Sequence, residues 1–119
     1  MALPNLKSPT AIYGKTARYA VTASLATALA APGTGKTYKI NSIFCANVAN
    51  PDAAVDISVS IYDGTTDYYI ARTIAVPADA TQILSTKETY FYLEEGDSLR
   101  ATANAASGVV LVIGYEEIS

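Results

Sequence analysis

The chain has 119 residues, of which 16% are charged and half are hydrophobic, and its formal net charge at neutral pH is −3. This length suits one domain and is too short for a full nucleotide-hydrolysing α/β domain of ordinary size. The basic residues are scattered and form no run that could neutralise a phosphate backbone, so nucleic acid is not an expected partner.

The cysteine and histidine counts exclude several kinds of chemistry. Cys45 is the single cysteine, so an internal disulfide is impossible, and the sequence has no histidine. The chain therefore has no Cys/His or Ser/His pair and no imidazole ligand for zinc. Catalysis by carboxylates or lysine stays formally open. We expect Cys45 to be a buried structural thiol, and we expect no enzyme activity, cofactor or metal.

The N-terminal region predicts an extended arm. Within residues 1–17, Pro4 and Pro9 push the residues before them into extended conformations, and Gly14 adds a bend. The alternative is a short first strand behind a frayed terminus. We therefore divide the chain into an arm over 1–17 and a β-sandwich domain over 18–119.

Residues 18–31 are ambiguous between a strand and a helix. Val21, Ala23, Leu25 and Leu29 alternate as in a strand, but Ala28 with Leu25 and Leu29 also forms a helical stripe. We favour the strand. The small-residue run over 20–31 also resembles a secretion signal, but it begins inside the chain and polar residues interrupt it. No segment approaches the roughly 20 apolar residues that a membrane span needs, so a membrane is not an expected partner.

From Thr37 onward the sequence predicts strands. The first runs over 37–48, and the next, over 55–62, alternates most cleanly. Asp63-Gly64 predicts a hairpin to residues 67–76, in which Arg72 interrupts the apolar face through a bulge or by packing its stem. The predicted inward faces are Tyr38, Ile40, Phe44, Ala46 and Val48; Val55, Ile57, Val59 and Ile61; and Tyr68, Ile70, Ile74 and Val76.

The C-terminal third predicts four more strands. A short strand over 81–84 precedes strands over 90–93 and 98–104, which we expect to pair through the turn at 94–97, with Leu99, Ala101 and Ala103 inward. Residues 109–117 are apolar on both faces, which is typical of a central strand or of an interface strand. About eight strands without a βαβ unit predict an all-β fold, a single antiparallel β-sandwich of jelly-roll or related type.

One motif imitates a nucleotide site. Gly33, Gly35, Lys36 and Thr37 lie in Pro-Gly-Thr-Gly-Lys-Thr, the heart of a Walker A loop. Such a loop works because a helix begins at its Lys-Ser/Thr pair and aims backbone N–H groups at the phosphates. The residues after Thr37 alternate as a strand, so we interpret the motif as a turn.

Two acidic turns, 94–97 and 63–67, could offer calcium ligands, but each lacks the six or more oxygens that calcium takes. We expect instead an ordinary turn at 94–97, with Gly96 at positive φ and Asp97 bonded to local backbone.

The sequence has nine tyrosines, several of them beside hairpins. An outward tyrosine offers a broad contact surface with a polar tip, which suits ligands, glycans or proteins. The alternative, cross-strand pairs that cover a sheet face, is favoured.

Several stretches resemble small virion structural proteins of large contractile-tailed phages that infect cyanobacteria. These are ALPNLKSPTAIYGKTA, YKINSIFCANV with DISVSIYDG, YYIARTIAVPADAT, and FYLEEGDSLRATA with the terminal GYEEIS. The resemblance implies a non-enzymatic virion protein that is assembled in the host cytoplasm. With the small size, the arm and the two-faced final strand, it favours a head decoration or cement protein.

The expected partners are the major capsid protein or other virion proteins and further copies of the chain, most simply as a trimer. The alternatives are a protein of the tail, neck, baseplate or fibre, and a carbohydrate-binding module that contacts the host surface. The residues expected to contact partners are Leu3, Pro4, Leu6, Pro9, Ile12 and Tyr13 of the arm, with Tyr62 and Tyr69 of the domain.

Overall fold

Strands dominate the computed structural model, which describes residues 3–48, 54–104 and 109–119. Alternating β-branched and aromatic residues form these strands, and turns rich in Gly, Pro and Asp separate them. A 3-10 turn at Lys87–Thr89 precedes the seventh strand. The strands are β1 (Ile12–Ala20), β2 (Ala26–Leu29), β3 (Thr37–Asn47), β4 (Val55–Tyr62), β5 (Asp67–Val76), β6 (Thr81–Ser85), β7 (Phe91–Leu93), β8 (Ser98–Ala103) and β9 (Val109–Ile118).

The strands form two antiparallel sheets. Sheet A has the order β1-β9-β3-β6, with β7 following β6 along the same edge of β3, and sheet B has the order β2-β8-β4-β5. The pairs are nested: β1 with β9, β2 with β8, β3 with β6 and β7, and β4 with β5. A long hairpin rolled into two sheets has this pattern, which is that of a jelly roll. The predicted antiparallel β-sandwich is confirmed.

The first strand corrects the predicted extent of the arm. Residues from Ile12 to Ala17, which the sequence analysis assigned to the arm, belong to β1 and pair with β9 in unbroken register. This pairing satisfies the backbone N–H and C=O groups of β9 on the edge that faces away from β3. Among the described residues the strand count is therefore nine, and the part of the arm outside the sheets ends before Ile12. Residues 18–31 contain the end of β1 and all of β2, so the preference for a strand is confirmed.

The core lies between the sheets. The predicted inward residues of β8 are buried, as are Val55, Ile57 and Val59 of β4. Strand β9 contributes Val109, Leu111 and Ile113. Its neighbours are β1 and β3, so of the two alternatives for this strand the structure shows the central one.

The inward face predicted for β3 is wrong in its second half. Ile40 is buried as predicted, but the register against β9 shifts between Ile40 and Ser42, so the alternation changes phase. Ile43 and Cys45 then point into the core, while Phe44 points out. Ala46 and Val48 follow Phe44 to the outer side. The extra residue of a bulge has no partner, and it reverses the facing of every residue after it.

A bulge also explains the interruption at Arg72. The pairs Ile57–Ile74 and Val59–Ala71 leave one extra residue in β5, and Thr73 has a φ of 54°. The bulge alternative is thus confirmed. Val76 is buried as predicted, but part of the predicted face is wrong, because Ala71 is buried while Tyr68 and Ile74 are exposed.

The predicted pairing of the strands around the turn at 94–97 is wrong. Strand β7 pairs with β3 in sheet A, whereas β8 pairs with β2 and β4 in sheet B. The turn therefore crosses from one sheet to the other. Turn residues report a local reversal of the chain, and the pairing depends on distant strands.

Candidate partner-binding surface

The Walker-like segment forms a turn that leads into β3. The Lys36 amide donates to the Gly33 carbonyl over 3.1 Å, Gly35 has a φ of 74°, and Thr37 begins the strand. The expectation that a strand and not a helix follows Thr37 is confirmed. A helix N-terminus that could face a phosphate is thus missing after this turn.

The polar groups of this turn already have partners. The Gly35 amide donates to Glu95 Oε1 over 2.7 Å, and the Thr37 hydroxyl donates to the Leu93 carbonyl over 2.7 Å. Lys36 Nζ lies 3.5 Å from Glu117 Oε1. The turn therefore joins β9 and the turn between β7 and β8, which is a structural task. That it binds no nucleotide stays a prediction.

The acidic turns are held by local hydrogen bonds. Gly96 has a φ of 93°, and Asp97 Oδ2 accepts from the Glu94 amide over 3.4 Å, as expected from the sequence. Asp63 Oδ1 accepts from the amides of Thr65 and Thr66, which lowers the pKa of Asp63. Within the described ranges no group of three or more acidic, Cys or His side chains could hold a metal.

An ion-pair cluster closes one end of the sandwich. Glu117 lies 3.2 Å from Lys15 and 3.5 Å from Lys36, so one carboxylate joins β1, β9 and the turn before β3. The hydrogen bond from Lys15 is the main cause that lowers the pKa of Glu117. The rings of Tyr38 and Tyr115 lie next to each other with centroids 4.7 Å apart, and burial raises the pKa of Tyr38.

The two predicted domain tyrosines lie in sheet B, away from the arm. Tyr62 donates its hydroxyl to the Gly64 carbonyl, and the guanidinium of Arg100 lies 4.2 Å from its ring centroid. Tyr69 is 42% exposed, with Arg72 over one face of its ring at 4.9 Å. The structure therefore does not bring these tyrosines together with the arm residues.

The arm lies against the outer side of sheet A. Leu3, Pro4 and Leu6 line a cleft of about 280 Å³ with Thr37, Tyr92 and Glu94, and we call this site the arm cleft. Thr37 points to the outer side and is nevertheless only 5% exposed, because the arm covers it. Leu3 and Leu6 keep 52% and 51% of their surface exposed. Of the other predicted arm residues, Pro9 is partly buried, and Ile12 and Tyr13 are exposed in β1.

Part of the remaining outer side of sheet A is apolar, with polar residues beside it. Phe44 pairs with Val112 on one side and with Ile83 on the other. Two residues along the same strands, Ala46 pairs with Val110. We call these five residues the apolar row. Phe44 and Ile83 are exposed, and the other three are partly buried.

The outer side of sheet B has the opposite character. Ser58, Tyr62, Arg100 and Thr102 lie there, and Arg100 pairs with Asp67 over 3.6 Å. Polar outer faces meet water in antiparallel sheets, so sheet B has an ordinary solvent face, whereas the outer side of sheet A carries the apolar row among polar residues. An exposed apolar area rimmed by polar groups is typical of an interaction site.

Sequence reasoning identified the arm but missed the surface that it contacts. Thr37 was assigned to the entrance of a strand, Tyr92 and Glu94 to a hairpin, and Phe44 to the core. The one available signal was the final strand, whose outward Val110 and Val112 made it apolar on both faces.

Catalytic groups do not converge on this surface. Cys45 is fully buried, and burial raises the pKa of its thiol to about 12, so it has little thiolate at neutral pH. None of the helices in the described residues is long and apolar enough to cross a membrane. The fold and the surface together define a jelly-roll protein whose N-terminal arm lies against the outer side of sheet A, which also carries the apolar row.

Comparison with known proteins gives the same architecture. No protein-family model matches the chain, and no curated protein sequence matches it. A chain in the capsid structure of the Helicobacter pylori bacteriophage KHP30 is similar in fold, with a TM-score of 0.58 and 16% identity over 94% of this chain and 90% of that one.

Two further solved structures are similar to lesser degrees. A chain from Bacillus endospore appendages, a family of disulfide-linked pili, matches with a TM-score of 0.55 and 13% identity over 92% of this chain and 87% of that one. A pentameric capsid protein from metagenomic phage sequences matches with a TM-score of 0.41 and 19% identity over 85% and 60%. At their identities, the likeness to the first two chains shows a shared fold and no more.

Proposed function

We propose that this protein is a non-enzymatic structural component of a phage virion, and that it decorates the head as a cement protein on the capsid surface. The observation that carries the proposal is the jelly roll, which is shared over 94% of the chain with a chain of a phage capsid structure. The resemblance to proteins of contractile-tailed phages that infect cyanobacteria supports the same role. We place the protein in the virion, as a homo-oligomer with the trimer as the expected state.

The surface supports attachment to other proteins rather than a reaction. The arm presents Leu3 and Leu6 half exposed, and the apolar row lies on the same side of sheet A. Apolar contacts of this kind provide most of the binding energy in protein interfaces, because they remove apolar surface from water. The partners that we propose are the major capsid protein and neighbouring copies of this chain.

The first experiment locates the protein in the particle. Cryo-electron microscopy of intact virions should show jelly-roll density on the outer capsid surface, in a copy number comparable with that of the major capsid protein. Density confined to the tail, neck, baseplate or fibres would keep the virion role and overturn decoration. Absence from purified virions would overturn both.

The second experiment tests the arm. A variant that lacks residues 2–9 keeps all of β1 and should fold, yet it should be incorporated into virions far less than the full chain. In a matched control, a glycine and serine segment of equal length replaces residues 3–9, which separates the arm's side chains from its length. Normal incorporation of both variants, measured by quantitative mass spectrometry of virions, would contradict a role of the arm in attachment.

A further inference from the structure

The arm is held to its own domain only weakly. In the described part of the chain, the hydrogen bonds of residues 3–9 stay within the arm: the Lys7 amide donates to Asn5 Oδ1, and the Ser8 amide donates to the Asn5 carbonyl. The first hydrogen bond to a sheet is from the Thr10 amide to the Ser119 carbonyl, at 2.6 Å. The arm therefore depends on side-chain contacts at the arm cleft to remain docked.

Those contacts leave the docked arm incompletely buried. About half of the surface of Leu3 and of Leu6 remains in water, although both residues line the arm cleft. Burying this remaining apolar surface against another protein would be favourable, by a free energy roughly in proportion to the area removed from water. A further protein surface over the arm would add burial without disrupting the cleft.

The arm is also long enough to leave its own domain. Seven extended residues, 3–9, span roughly 23 Å. The described residues extend 49 × 27 × 19 Å, so this reach matches the two smaller dimensions of the molecule. With Thr10 as the fixed point, an undocked arm can extend about this far from its own domain.

The structure already shows an arm segment at this site, because Leu3, Pro4 and Leu6 form part of the wall of the arm cleft together with Thr37, Tyr92 and Glu94. A second copy supplies an identical segment, and an exchanged element makes in the new position the contacts that it made in the old one. The second copy would also approach the side of sheet A that carries the apolar row. Both apolar features would then be covered by the same neighbour.

We propose that the arm of one copy docks in the arm cleft of a second copy, so that exchanged arms hold the oligomer together. This proposal rests on the proposed homo-oligomeric virion protein and names the contact that joins its subunits. In a closed ring such as a trimer, each arm enters the arm cleft of the next copy, and no arm or cleft is left over.

Engineered cysteines test the exchange in the purified full-length protein. The background is favourable, because the one native cysteine is fully buried. One tagged variant carries Leu6→Cys in the arm, and a second, untagged variant carries Glu94→Cys at the rim of the arm cleft. Since each chain has one engineered thiol, a disulfide between the variants can form only between two copies.

After mixing and mild oxidation, we expect a tagged–untagged disulfide dimer on a non-reducing gel, severalfold more abundant than in a matched control. In that control the Leu6→Cys chain is mixed with a chain that carries Thr65→Cys, an exposed position in the β4–β5 turn of sheet B. Equal yields from the two mixtures would overturn the proposal.

A variant with both Leu6→Cys and Glu94→Cys in one chain separates the two positions of the arm. Exchange predicts covalent oligomers after oxidation, whereas an internally linked monomer would overturn it. Because these assays contain no virions, their failure leaves capsid attachment untouched. Likewise, a protein absent from the virion could still give the crosslink.

Discussion

At the scale of single residues, Lys36 shows how context decides the meaning of a motif. The Lys of the Walker-like sequence forms an ion pair with Glu117, which also binds Lys15. A P-loop lysine instead faces phosphates at the N-terminus of a helix. Here the same residue types connect the turn before β3 to β9 at the end of the sandwich.

This cluster makes stability depend on pH in the acidic range. The folded state lowers the pKa of Glu117, so its contribution is present above the ordinary pKa of a glutamate and is lost as the pH falls through the lowered value. We expect Glu117→Gln to be less stable than the native chain at neutral pH and to lose less stability on acidification. Urea midpoints measured between about pH 3 and 7 check this.

The matched control for this prediction is Glu116→Gln, one residue earlier in β9. Glu116 takes part in none of the ion pairs among the described residues, so its replacement should preserve the native pH dependence. If both variants reduce the loss of stability at acidic pH equally, the ion-pair cluster is not the cause of that loss.

At the scale of elements, bulges explain where periodicity failed. Strands β4 and β8 alternate as the sequence predicts, because their pairing with each other runs without a register shift. Strand β3 contains one extra residue and β5 contains two, so a face predicted by counting in twos changes side at each of them. The sequence carried a signal for each strand: Arg72 places a charge on an otherwise apolar face of β5, and Ile43 and Cys45 interrupt the alternation in β3.

The bulge in β3 also makes a glycine necessary. Gly114 pairs with Ser42 just after the bulge, and a Cβ at Gly114 would lie 2.9 Å from Ser42 Oγ. We expect Gly114→Ala to lower the free energy of unfolding by about 1–3 kcal/mol, as overpacking does. Urea unfolding measures the change.

Two variants accompany this measurement. Gly14→Ala in the neighbouring strand β1 places a Cβ where no heavy atom lies within 4 Å, so it should change stability by less than about 0.5 kcal/mol. Adding Ser42→Ala to Gly114→Ala removes the hydroxyl and should restore most of the loss. A cost that persists in the double variant would show that the contact with Ser42 is not its cause.

At the scale of the whole molecule, the two ends of the chain close the fold. Strand β1 pairs with β9 along its whole length, from Ile12 with Ile118 to Ala20 with Val110. The nested pairing means that most strand contacts join residues far apart in sequence. Such contacts form only after large loops have closed, which costs chain entropy early in folding.

We therefore expect slow and cooperative folding, on a timescale of roughly milliseconds to seconds, with one unfolding transition because both sheets share one core. Stopped-flow refolding after dilution from urea measures the rate. The variant without residues 2–9 should refold at the same rate, since the described part of this segment, residues 3–9, belongs to no strand. Folding within microseconds, or two separate transitions, would contradict this account.

The sequence by itself determined the composition-level and local features of this protein. Alternation predicted most strands, Asp63-Gly64 predicted the β4–β5 hairpin, and the lack of a helical pattern after Thr37 identified a turn in the Walker-like motif. The prolines of the first residues, with Gly14, predicted an arm. These features depend on interactions between residues close together in the chain, so they can be predicted from local sequence.

Only the tertiary structure decided which strands pair and what the arm contacts. Strand β7 lies in sheet A and β8 in sheet B although one turn joins them, and the arm cleft combines Leu3 and Leu6 with Thr37 and Tyr92. Register and sheet membership follow from the burial of whole faces against distant strands. No local pattern records such contacts, so the surface on sheet A became visible only once the jelly roll was assembled.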